Sequence, residues 1–124
     1  MDALPLAPRS AAAFASFSSL AAAAARGVDV HVTVDRSDWM VDNDINTAAI
    51  ERLLADDIDV WTTDPDITSH AKVIRCDDTV IVSDANWSYS GLERMRGVSV
   101  RVTDSALSAS YAEWMASKRH DAVD

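Results

Sequence analysis

The 124-residue sequence predicts an α/β fold, a mixed β-sheet flanked by helices, on three observations. An Ala-rich run over residues 10–26 is closed by Gly27. Val28, Val30, Val32 and Val34 follow at once, alternating with Asp29, His31 and Thr33, so a helix hands directly to a strand. A second apolar periodicity, through Ile45, Ala49, Leu53 and Leu54, leads into the short apolar run 58–61 and repeats that step. Two short runs, 72–76 and 79–82, flank the turn-forming pair Asp77-Asp78 and add a hairpin.

Taken in order, Pro5 and Pro8 make the first nine residues irregular. Ser10 stands where a helix cap belongs, with Phe14, Phe17, Leu20 and Ala24 on one face of the helix and Arg26 at its end. Gly27 ends that helix because it adopts the left-handed conformation without a Cβ penalty. Residues 35–43 read as a polar loop, after which Asp42 or Asp44 caps the second helix. The strand at 58–61 is followed by a polar loop around Pro65. His70 and Lys72 then share one face of the first hairpin strand, because residues two apart do so. Val98, Val100 and Val102 form the last strand. Asp104 caps a terminal helix whose Leu107, Tyr111, Trp114, Met115 and Lys118 fall at helical spacing, a stripe expected to pack as core. The domain limits are an irregular N-terminus at 1–9, one domain at 10–119 and a frayed tail at 120–124.

With 48% hydrophobic and 25% charged residues the chain is long enough for one core and short for two. Its net charge is -9, all but three of its 20 acidic residues are Asp, and its only lysines are Lys72 and Lys118. That bias fits a halophilic, high-salt interior, where an acidic, Lys-poor surface stays hydrated after salt has screened ordinary repulsion. Bulk charge excludes nonspecific attraction to a polyanion, so any phosphate site must be local. Cys76 has no partner for an intrachain disulfide, and His31, His70 and His120 fall into no zinc-ligand spacing with it. No metal and no cofactor are expected. The Ala-rich run reads as an amphipathic helix rather than a signal peptide, and no apolar segment reaches membrane-spanning length. The expected setting is cytoplasmic, without a membrane partner.

Cleaving a phosphodiester without a metal requires a nucleophile, a cation for the nonbridging oxygens, neutral donors and an acid for the leaving group. Residues 70–86 offer the first three. His70 supplies a nucleophile, Lys72 a cation on the same strand face, and Asn86 a side-chain amide. The stretch from His70 through Lys72 to Asp77 matches His-x-Lys-x4-Asp, and Ser83-Asp84-Ala85-Asn86 stands where a Gly-Ser-x-Asn element follows it. In these features the chain resembles the phospholipase D-like (HKD motif) superfamily, and within it the small single-motif bacterial endonuclease type. The joints "RGVDVHVTVD" and "LLADDIDVWTTDP" are similar to those preceding the motif, so the resemblance covers roughly residues 14–118.

The resemblance implies a half-domain of that fold lacking the usual first strands. It implies a phosphohistidine on His70, phosphoryl binding by Lys72 and Asn86, and a turn or support role for Asp77. It also implies a homodimer, because single-motif members form one composite site from two copies, the second His70 acting as acid. The substrate would be nucleic acid or another phosphodiester. Three features depart from the pattern. The interval from Asp77 to Asn86 is one residue shorter. Asp84 places a carboxylate where a hydroxyl donor is expected, and such a charge facing a phosphate about 4 Å away would oppose it by roughly 1–4 kcal/mol. Gly97 stands at the family's acidic position. Two readings follow: a metal-independent phosphodiesterase acting on nucleic acid as a nuclease, or an inactive domain that binds nucleic acid or a protein partner. Arg94, Arg96 and Arg101 are read as a solvated face, Trp87 and Cys76 as buried, and His31 and His120 as without a chemical role.

Overall fold

A computed structural model describes residues 11–42, 44, 46–85 and 96–124. Its elements are α1 (Ala11–Ala25), β1 (His31–Val34), α2 (Asp38–Asp42), α3 (Thr47–Ala55), β2 (Asp59–Thr62), β3 (Val73–Cys76), β4 (Thr79–Ser83), β5 (Ser99–Thr103), α4 (Ser105–Ser117) and β6 (Asp121–Val123). Ser10, Ile45 and the side chain of Phe14 lie outside the described residues, as does the segment holding Asn86, Trp87 and Arg94.

Both α1 and α3 stop through the same backbone device. After α1 the Val28 N–H donates to Ala23 O and the Gly27 N–H to Ala24 O, with Gly27 at φ 88°. After α3 the Ile58 N–H donates to Leu53 O and the Asp57 N–H to Leu54 O, with Asp57 at φ 57°. These are Schellman closures, and each turns the chain straight into a strand. The first also shortens the expected strand 28–34. Val28 is engaged by the helix end, so pairing begins only at His31.

The α/β class holds, but the strands form two sheets rather than one. In the first, β2 is central, with β1 parallel on one side and β6 antiparallel on the other. In the second, β4 lies between β3 and β5, all antiparallel. The loop 63–72 carries the chain out of the first sheet before β3 begins, so the two ladders never meet. The main core belongs to the first sheet, where Phe17 of α1 and Ala49, Ile50 and Leu53 of α3 enclose Val34 and Val60.

Three local expectations are corrected. The segment 35–43, expected as loop, contains α2, held by Asp38 N–H to Pro65 O at 2.9 Å. The second helix begins at Thr47 rather than after Asp44, because Asn46 occupies the left-handed region at φ 71° and breaks the helical path. The expected frayed tail forms β6: the His120 N–H donates to Thr62 O at 2.8 Å and aligns Val123 with Val60. Among the described residues no helix is long and apolar enough to cross a membrane.

Candidate active site

The two-residue turn at Asp77-Asp78 fixes the hairpin register, pairing Cys76 with Thr79 and Val73 with Val82. Lys72 is therefore opposite Ser83, and its carbonyl accepts the Ser83 N–H at 3.0 Å. Beyond the end of this ladder His70, Lys72 and Ser83 line one groove of about 500 Å³, whose far wall is Ser110, Tyr111 and Trp114 of α4. The Ser83 hydroxyl oxygen accepts from the Ala85 N–H at 3.0 Å and from the Ser99 hydroxyl at 2.9 Å. His70, Lys72 and Ser83 thus border one groove.

The other end of the hairpin anchors α4. Asp104 caps the helix through its carboxylate, which accepts the Leu107 N–H at 3.0 Å. The Arg75 Nε–H is shared between Ser108 O at 3.0 Å and Ser108 Oγ at 2.9 Å, and the Ser108 hydroxyl donates to Asp77 O. Asp77, at φ 51°, is a turn residue here. It is five residues from Lys72 along an extended chain, about 16 Å away, and serves the site by docking α4. Ser108 is buried, whereas Trp114, about 9 Å further along the helix axis, is 40% exposed. The helix is pinned at the turn and open at the groove, so the stripe expected to be core is half a groove wall. Cys76, expected to be buried, is exposed beside the turn.

The loop that delivers His70 is held from the first sheet. Asp35, at the end of β1, is 4% exposed. Its carboxylate accepts from the Ser37 N–H at 2.8 Å, the Thr63 hydroxyl at 3.4 Å and the Ser69 N–H at 2.9 Å. A buried carboxylate is tolerated only when so bonded. This one fixes the residue next to His70. Sequence reasoning missed Asp35, since a strand-end Asp in so acidic a chain resembles surface charge. It also missed Ser83 as a groove residue, although the two-residue turn already sets Ser83 across from Lys72.

Asp84 turns away from the groove. Its Oδ1 accepts the Val98 N–H at 2.9 Å, and a Cβ on residue 97 would collide with that same oxygen. Gly97 thus makes room for the Asp84 carboxylate, and two departures from the motif are one arrangement. The position of Asn86 lies outside the described residues.

Away from the groove, the β1–β2 register sets His31 beside Asp59. The His31 ring is 2.6 Å from Asp59 through Nδ1 and 3.0 Å from Asp29 through Nε2, and the Trp61 Nε1–H donates to Asp59 at 2.9 Å. The bond to Asp59 holds the imidazole above its usual value near 6.5, against the opposing effect of burial. His31 in turn holds the Asp59 carboxyl below its usual 3.8. His31 therefore ties two strands together, a structural role that sequence reasoning did not give it.

The family described as "Cardiolipin synthase, PLD-like domain" matches residues 10–119. The crystal structure of a phospholipase D family member, Nuc from Salmonella typhimurium, aligns with a TM-score of 0.72 at 23% identity, over 86% of this chain and 72% of that one. At that identity the likeness concerns the fold. Comparison with curated proteins gave no match.

Proposed function

The chain belongs to the phospholipase D-like family, and from that premise we propose that it is a metal-independent phosphodiesterase acting on nucleic acid through a phosphohistidine on His70. The observation that supports this best is the convergence of His70, Lys72 and Ser83 on one groove. In the first step a His70 ring nitrogen attacks phosphorus and the bond to the leaving oxygen breaks. That oxygen takes a proton from the His70 of a second copy. Water then attacks phosphorus, the P–N bond breaks, and the water proton goes to the second His70, restoring both rings. Lys72, Asn86 and the Ser83 hydroxyl hold the nonbridging oxygens as charge develops.

The reading requires a homodimer with a composite site. It is supported by the apolar row Val82, Val98 and Val100, which is 38%, 72% and 56% exposed near the groove. Exposed Cys76 supports a reducing, cytoplasmic setting. Purified protein is expected to cleave DNA with EDTA present, and His70→Ala is expected to abolish cleavage. A requirement for added magnesium would refute the mechanism. Gly97, which puts no side chain at the family's acidic position, favours the second reading, a domain that binds nucleic acid or a partner without turnover. Tight oligonucleotide binding with no cleavage under those conditions would select it.

A further inference from the structure

We infer that the α4 wall of the groove is a stacking platform for an unpaired nucleobase whose phosphate lies at His70 and Lys72; the inference rests on the phosphodiester reading of those two residues. Trp114 is 40% exposed, lines the groove with His70 and Lys72, and is braced by Tyr111 in a T-shaped contact with centroids 6.3 Å apart. The chain carries nine arginines but only two lysines, at a net charge of -9; one of the two lines this groove and the other sits over the Trp114 ring. Lys72 lines the groove beside His70, and Lys118 Nζ lies 5.7 Å from the centre of the Trp114 ring. A cation, an aromatic face and a second cation in sequence match the alternation of phosphate, base and phosphate along a single strand.

Magnitudes decide what happens to the Lys118 contact. A cation–π contact at an exposed site is worth about 0.5–1 kcal/mol, whereas a base stacked on an aromatic side chain is worth about 1–3 kcal/mol. The base displaces the ammonium, which then pairs with the adjacent phosphate. A duplex presents no free base face to Trp114. An acyl chain gains nothing from the two flanking cations.

The test uses full-length His70→Ala protein, which binds without turnover, and fluorescence anisotropy of a labelled oligothymidylate. Its affinity should exceed that for the same strand in duplex and for an abasic strand of equal length. Adding Trp114→Ala should weaken single-strand binding roughly 5- to 150-fold, while Trp114→Phe stays within about threefold. Lys118→Ala should lower the salt slope by about 0.7, the loss of one single-strand phosphate contact. Equal affinity for the abasic strand would overturn the proposal, as would Trp114-dependent binding to anionic phospholipid vesicles in place of DNA. Dissociation of a dimer by Trp114→Ala would also overturn it, assigning the tryptophan to a contact between copies. Hydrolysis of a small chromogenic phosphodiester in EDTA reads the His70 chemistry separately, so the two readings fail in different assays.

Discussion

Gly27 and Asp57 perform the same task with different chemistry. Each sits in the left-handed region just after a helix and lets two N–H groups return to helical carbonyls. Glycine does this without a Cβ, whereas an L-residue there bears about 1–2 kcal/mol of strain. Gly27→Ala should lower unfolding free energy by about 1 kcal/mol, and Asp57→Gly should raise it by up to about 1 kcal/mol once the added chain entropy of glycine is subtracted. Urea denaturation measures both. A loss of stability in Asp57→Gly would show that the aspartate side chain, not the backbone conformation, is what matters there. Gly27 was legible as a helix stop, and His70 with Lys72 as a pair, because each depends on residue type and spacing alone. Asp35 was not, because its burial is created by Thr63 and Ser69, 28 and 34 residues away in sequence.

The β1–β2 pair contributes to the pH dependence of the fold, alongside His120, whose bond to Asp121 also holds its imidazole above the usual value. Folded His31 binds its proton more tightly than the unfolded chain does, so its contribution is complete below about pH 6.5 and fades as pH rises through the raised value. Asp59 acts from the other side. Its contribution is present above about pH 3.8 and is lost as pH falls through the lowered value. The His31 and Asp59 side chains are 35% and 45% exposed, so solvent screening keeps the pair under about 1 kcal/mol. Urea midpoints should fall between pH 5.5 and pH 8, and His31→Gln should lessen that decline, leaving the part contributed by His120. An unchanged decline in the variant would place the titrating group elsewhere. Valine alternation made these strands legible, and Asp77-Asp78 made the hairpin so. The division into two sheets was hidden, because it depends on the path of the loop 63–72. The orientation of the α4 stripe was hidden too. Helical spacing establishes that Tyr111 and Trp114 share a face, not whether that face meets core or solvent.

For the whole molecule, a charge of -9 works against compaction until salt screens it. The thermal midpoint should therefore rise between dilute buffer and molar KCl, as followed by circular dichroism. A midpoint independent of salt would detach the Asp-rich composition from any high-salt adaptation. The apolar interior is unevenly shared. Among the described residues every buried hydrophobic except Val80 belongs to the cluster around β1, β2, α1 and α3, while all of β5 is exposed. Amide exchange followed by mass spectrometry should therefore reveal two cooperative units of unequal protection, with β5 and the hairpin opening while α3 and β2 remain closed. The groove would then belong to the less protected unit, tethered to the more protected one through the Asp35 link to Ser69. A substrate strand bridging hairpin and α4 would slow exchange in the groove unit first and leave the core almost untouched.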